Sequence, residues 1–358
     1  MLRVLIVDDS PAVQRTLAAL LENDPDVTVV GIASNGAEAV SMCKELMPDL
    51  VTMDIFMPVM DGLEATRQIM RDTPTRILIV SSMVKSKDMS IAFEAIRAGA
   101  VEVVEKPHGV LRGNYSEVRA ALLRLLKGAA EAIPKATLSL APPQPSAWSE
   151  EDKDVPVPRS SARRKTGDIP ALLSPQIVCI GGSTGAPGVL AEILANLPKS
   201  FQVPIVVAQH IARGFADGMA EWLDSQTHLK VRMVKGEEPL APGVVLVAPD
   251  DGHVEISRRL ASRVPGGSFA SAHMPSVDLL FSSAAAAYGR WSLGVLLSGM
   301  GHDGAQGLLA MREAGGVTVA QDEESSVVWG MPKAAIDKGA ALVTMTPAEI
   351  VQLLGRLG

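Results

Sequence analysis

Short β-branched runs alternate with Ala- and Leu-rich helical patterns along nearly the whole chain, and this alternation most narrows what it can fold into. From Leu2 to about Lys127, "RVLIV" precedes "PAVQRTLAALLEN", "VTVVGIA" precedes "GAEAVSMCKEL", and "DLVTMDI" precedes "GLEATRQIMRD". "RILIVSS" then leads to "KDMSIAFEAIRAG", and "AVEVVEKP" to "SEVRAALLRLLKGAAEA". Five strands, each followed by a helix, predict a parallel sheet covered on both faces, with ligands held at the carboxyl ends of its strands. Between about 128 and 174 the period is lost in a stretch rich in Pro, Ser and charge, which predicts a linker. Its basic cluster "ARRK" reads as solvated linker charge. After Pro175 the alternation resumes, with strand candidates "QIVCI", "VPIVVAQ", "GVVLVAP", "HVEIS", "SLGVLLS" and "VTVAQ". The expectation is an α/β chain of two doubly wound domains with mainly parallel sheets, over 1–127 and 175–358, joined by a Pro/Ser-rich linker over 128–174.

Composition removes several classes of function. With 358 residues, 47% of them hydrophobic, each domain can bury a core. A net charge of −7 with scattered Lys and Arg argues against a nucleic-acid partner. The only two cysteines are Cys43 and Cys179, and the latter sits inside "QIVCIGG" as a buried strand residue, so no disulfide framework is available. No apolar run reaches the roughly 18 residues of a membrane helix, and the N-terminal run is too short for a signal peptide. The expectation is a reduced, soluble, cytoplasmic protein without membrane insertion.

Acidic side chains fall at strand ends of the first domain: Asp8 and Asp9 after "VLIV", and Asp54 after "LVTM". Neighbouring parallel strands bring such ends together, and an oxygen-only cluster suits Mg²⁺. Ser81 ends another strand, and Lys106 ends the fifth, before Pro107. Together these groups can bind and accept a phosphoryl group, with Asp54 as nucleophile. Strand-end carboxylates also cap helices, and for Asp8 alone that is the better reading; the full set argues for chemistry. "VLIVDDSPAVQR", "LVTMDIFMPVMDGLEA", "ILIVSS" and "EKPHG" resemble the flavodoxin-like receiver domains of two-component response regulators. The resemblance implies Asp54 as phosphoacceptor and Mg²⁺ held by Asp8, Asp9 and Asp54. It further implies Ser81 and Lys106 as switch hydroxyl and phosphate-binding lysine, and a histidine kinase as phosphodonor. The sequence departs from the pattern at Val103, where many receivers carry Tyr or Phe.

In the second domain "VCIGGSTGAPG" admits two readings. A phosphate cradle wants a lysine after the glycines and free amides, yet no lysine follows and Pro187 removes a donor. Read as G-x-S-x-G at a strand-to-helix turn, it presents Ser183 as a nucleophile, with loop amides nearby for an oxyanion. Such a serine needs a base. His210 follows "VPIVVAQ" and should emerge on the same sheet edge; His253 is the runner-up, and His302 lies just past another strand. His108 belongs to the first domain, and His228 and His273 lie in polar surroundings without strand-end placement. Asp303, within the glycine-rich "SGMGHDGAQG", is the candidate orienting acid.

"IGGSTGAPG", "VVAQHIARGFADGMAEWL", "VLVAPDDGHVEI", "MPSVDLLFSSAA", "LLSGMGHDGAQGLLAMREAGG" and "AQDEESSVVWGMPKAAIDKGA" resemble the protein-glutamate methylesterases of bacterial chemotaxis, the CheB family. The resemblance implies an α/β serine hydrolase with Ser183 as nucleophile, His210 as base and Asp303 as orienting acid, and with no cofactor in this domain. It implies as substrates the methyl esters and glutamines of chemoreceptor helices, converted to glutamates with loss of methanol or ammonia. Two departures stand in the loop: Gly182 where alanine is usual, and Ala186-Pro187 where glycine is common. A different serine hydrolase under receiver control, and a non-enzymatic binding module on the same fold, are the alternatives.

Overall fold

The computed structural model describes residues 1–22, 24–82, 86–107, 115–131, 174–267 and 273–357. His108 and most of the expected linker, from 132 to 173, lie outside them. In the N-terminal half β1 (Leu2–Val7), α1 (Pro11–Leu21), β2 (Val27–Ala33), α2 (Gly36–Leu46) and β3 (Leu50–Met53) are followed by α3 (Gly62–Asp72), β4 (Arg76–Ser81), α4 (Ser86–Arg97), β5 (Glu102–Glu105) and α5 (Tyr115–Glu131). The sheet is parallel, in the order β2-β1-β3-β4-β5. Val4 to Val7 are buried throughout, as befits a strand covered on both faces. The last helix runs to Glu131, into the segment read from sequence as linker.

The C-terminal half begins with β6 (Ile177–Gly182), α6 (Ala186–Ala195), β7 (Ile205–Gln209), α7 (Ala216–Gln226) and β8 (Lys230–Met233). After β9 (Glu237–Pro239) come β10 (Val244–Val247), β11 (Gly252–Ser257), β12 (Leu260–Pro265) and α8 (Val277–Tyr288). The chain closes with β13 (Ser292–Leu296), α9 (Ala305–Glu313), β14 (Val317–Gln321), α10 (Met331–Asp337), β15 (Val343–Met345) and α11 (Pro347–Gly355). Seven strands form a parallel sheet in the order β15-β14-β13-β6-β7-β10-β8. The order reverses at β6, which has β7 on one side and β13 on the other. That reversal opens the crevice in which doubly wound sheets hold ligands. "HVEIS" departs from the parallel expectation: β11 turns back through Arg258 and Arg259 into β12, making a separate antiparallel sheet with β9.

The halves meet along the α4–β5–α5 face of the first domain. Phe93 of α4 stacks on Trp222 of α7 with ring centroids 5.3 Å apart, and Trp222 Nε1 donates to Glu94 Oε1 at 3.0 Å. Arg97 donates to Gln226 at 2.8 Å. From edge strand β5, Glu102 Oε2 accepts a 2.6 Å hydrogen bond from Thr184 Oγ1. Met300 sits against Gly128 of α5, and Val327 packs on the apolar cluster between the first sheet and α1 and α5. Phe93 and Ile96 share one continuous core cluster with Val189 and Trp222.

Candidate active site

Three adjacent strands, β13, β6 and β7, deliver the three expected residues to one sheet edge. Ser183 follows β6, His210 follows β7, and Asp303 lies in the loop after β13. The His210 N–H donates to the Gly182 carbonyl and the Ser183 N–H to the Ser298 carbonyl, each at 2.9 Å, so the three loops are stitched by main chain. Gly299 permits this approach: a Cβ there would lie 2.7 Å from Ser183 Cβ. With the Ser183 N–H engaged, an oxyanion would have to be met by other amides.

Asp303 is 4% exposed and heavily tied. Its Oδ2 meets His210 Nε2 at 2.8 Å and accepts from Val277 N–H at 2.8 Å; its Oδ1 accepts from Asp278 N–H at 3.1 Å. Burial raises this carboxyl, but the bonds from His210 and the α8 amides outweigh it and bring the pKa down to about 2. Nearby Asp278 is raised, chiefly by burial. Bonding at Nε2 fixes the neutral imidazole proton on the Asp303 side and leaves Nδ1 as the basic nitrogen. Ser183 Oγ is half-buried and makes no hydrogen bond among the described residues.

The other histidines separate by position. His253 is buried and its Nδ1 accepts from Ser276 N–H at 3.0 Å, so it braces the start of α8, whose amides hold Asp303. Burial lowers its pKa. His302 is exposed, edge-on to His273. His273 belongs to the site in a way that strand-end reasoning missed: its ring lies parallel to that of His210, 4.9 Å between centroids. It arrives on the segment leading into α8, which carries no periodic signal; the only cue is its position two residues before Pro275 in "HMPSVD".

At the first sheet, Asp8, Asp9 and Asp54 offer oxygens all within 4.8 Å of one another. Lys106 Nζ bridges Asp8 Oδ2 at 2.8 Å and Asp54 Oδ2 at 2.9 Å. Burial raises the Asp54 carboxyl against the pull of Lys106. For Lys106, burial lowers the pKa, but the two carboxylates outweigh it and the net shift is upward. Ser81 is buried at the end of β4, and its carbonyl accepts from Lys106 N–H at 2.9 Å. Val103 is buried in the core of β5.

A family model described as CheB methylesterase matches residues 178–354, and one for the response regulator receiver domain matches residues 4–112. A Myxococcus xanthus (strain DK1622) protein named protein-glutamate methylesterase/protein-glutamine glutaminase 4 is 41% identical over 342 residues, 95% of this chain and 92% of that one. The chain belongs to the CheB methylesterase family. A Syntrophus aciditrophicus (strain SB) member, protein-glutamate methylesterase/protein-glutamine glutaminase 1, is 39% identical over 100% of this chain and 98% of its own length. Among solved structures, the CheB methylesterase catalytic domain of Thermotoga maritima is 36% identical and covers 52% of this chain and 100% of its own, with a TM-score of 0.49. The response regulator domain of Thermotoga maritima CheB is 41% identical over 37% of this chain and 99% of its own, with a TM-score of 0.34. Receiver and methylesterase regions thus share this one chain.

Proposed function

We propose that this CheB-family chain is a cytoplasmic, phosphorylation-controlled protein-glutamate methylesterase and protein-glutamine glutaminase acting on chemoreceptor side chains. The observation that carries the proposal is the 2.8 Å contact of His210 Nε2 with Asp303 Oδ2 beside the Ser183 turn. Asp303 holds the His210 ring and stabilises the imidazolium that forms. His210 Nδ1 takes the Ser183 proton as Oγ attacks the side-chain carbonyl, then passes it to the departing methoxy oxygen or amide nitrogen, which leaves as methanol or ammonia. Water, deprotonated by the same nitrogen, cleaves the acyl-enzyme and returns a glutamate. The pattern is a serine triad with its imidazole turned end for end, acid at Nε2 and base at Nδ1.

In the receiver half, Asp54 is the proposed acceptor of a phosphoryl group from a histidine kinase. The oxygen donors of Asp8, Asp9 and Asp54 fit Mg²⁺, which when bound neutralises charge on the incoming phosphate. Lys106 already spans the acceptor and Asp8, and is placed to hold the phosphoryl oxygens, with Ser81 as the switch hydroxyl. The seam supports control by cover: Glu102 of β5 holds Thr184, the residue after the nucleophile, and Val327 packs on both receiver core and Gly185. Released, the same loops are open to a receptor helix.

Ser183→Ala tests the chemistry. It should cut methanol release from methylated receptor membranes by roughly 10⁴-fold or more while Asp54 phosphorylation proceeds at the wild-type rate. Release within a few fold of wild type would remove Ser183 from the nucleophile role. Methanol release itself separates this reading from a different serine hydrolase.

A further inference from the structure

Gln209 ends β7 immediately before His210, and its side chain is 2% exposed. Its Nε2 donates to the carbonyl of Ser183 at 2.8 Å and to that of His210 at 3.0 Å. An amide nitrogen carries two hydrogens, so one group spans the main chains of both residues. Its register partner across the sheet is Gly182, which sets the amide beside the turn. The Ser183 carbonyl also accepts from Ala186 N–H at 3.0 Å, and the Ser183 N–H is held by Ser298. Ser183 and His210 are thus tied to each other through backbone while their side chains make no mutual hydrogen bond. Their separation at the moment of proton transfer is set by where the main chain puts them.

We infer that Gln209 is a positioning residue for the reaction: its side-chain amide fixes the spacing of Ser183 and His210. The inference rests on the proposed reading of those two residues as nucleophile and base. A displacement of about 1 Å between reacting groups costs on the order of 100-fold in rate, so a clamp across the two carbonyls acts on turnover more than on binding. Gln209→Met keeps the volume and removes both donors. Gln209→Glu keeps the shape but sets an acceptor against two carbonyls when ionised; protonated, it regains one O–H donor.

The test uses the full chain and methylated receptor membranes, with kcat and KM determined separately and with thermal unfolding and Asp54 phosphorylation as checks on the fold. Gln209→Met should lower kcat about 10- to 100-fold with KM within about threefold of wild type. The activity of Gln209→Glu relative to wild type should rise as pH falls, because its carboxyl then recovers a donor. A role in packing alone would leave that ratio flat. Wild-type kcat in Gln209→Met, or a loss carried entirely by KM, overturns the inference. Should Gln209→Met fail to fold, the pH course of the Gln209→Glu ratio decides. Absence of methanol release from the wild type would overturn the proposed function and the clamp together, whereas turnover unimpaired in Gln209→Met removes the clamp alone.

Discussion

At the scale of the residue, His210 follows β7 and His253 stands in β11, and their partners set them further apart. His210 meets Asp303 through its side chain, whereas His253 accepts from the backbone of Ser276. His210→Ala should therefore lower kcat by roughly 10⁴-fold or more. His253→Ala should act only through the α8 amides that hold Asp303, costing about tenfold and some thermal stability. Comparing kcat and melting temperature for both variants checks this; a larger kcat loss in His253→Ala would reverse the assignment. The Asp303 carboxyl adds a pH dependence. Its pKa is depressed to about 2 from an ordinary 3.8, so its contribution to stability is complete above about pH 4 and is lost as pH falls towards 2. Acid titration of the melting temperature in wild type and Asp303→Asn should show that loss in the wild type alone. That Ser183, His210 and Asp303 would meet at one sheet edge was legible in sequence because each follows an apolar run that must be a strand. His273 was not, since nothing local says that a loop histidine will stack on another ring 63 positions away in the chain.

At the scale of the element, the β6–α6 turn couples two small residues, Gly182 and Ala186. A Cβ on Gly182 would lie 2.4 Å from Ala186 Cβ. A methyl fits on one side of that contact and not on both. Gly182→Ala should destabilise by about 1–3 kcal/mol, as overpacking does. Adding Ala186→Gly should recover much of it, a coupling of about 1–2 kcal/mol that a double-mutant cycle of unfolding free energies will measure. Additive losses would show that the contact relaxes. β8 and β15 of the second parallel sheet, each only three or four residues long, were not among the expected strands, whereas in the first domain element order and the parallel sheet were legible because each strand is followed by a helical period. The β11–β12 hairpin was not, because "HVEIS" has the same short apolar pattern as a parallel strand, and its reversal depends on Arg259 entering the left-handed region at φ 66°.

At the scale of the whole molecule, the seam was the least legible feature, being made by residues far apart in sequence whose partners no periodicity names. Glu102 and Thr184 are 82 positions apart. Glu102 keeps some exposed surface, yet its carboxylate faces the seam, where burial pushes its pKa up to about 7 against the hydrogen bond from Thr184. No described cation answers it: Arg97 is engaged with Gln226 and Glu94, and Lys106 with Asp8 and Asp54. A carboxyl raised on docking favours the docked state most below its ordinary value of 4.5, and that advantage is lost as pH climbs through about 7. A fragment starting near Pro170 should outpace the unphosphorylated full chain, and the full chain should close part of that gap between about pH 5.5 and about pH 8. Glu102→Gln should flatten the trend, and Asp54→Asn should stay at the low basal rate despite phosphodonor. The readout is methanol release by each protein across the pH series; equal rates for fragment and full chain throughout would remove the docking model.

The continuity of one apolar cluster across the two halves has a colloidal consequence. Phe93 and Ile96 are 1% and 7% exposed while the halves are joined, and Trp222 opposite them is fully covered. Parting the halves wets an aromatic and aliphatic patch of the kind that soluble monomers keep small. Under the proposed control by cover, the uncovered form would be the stickier one, more prone to self-association than the joined form.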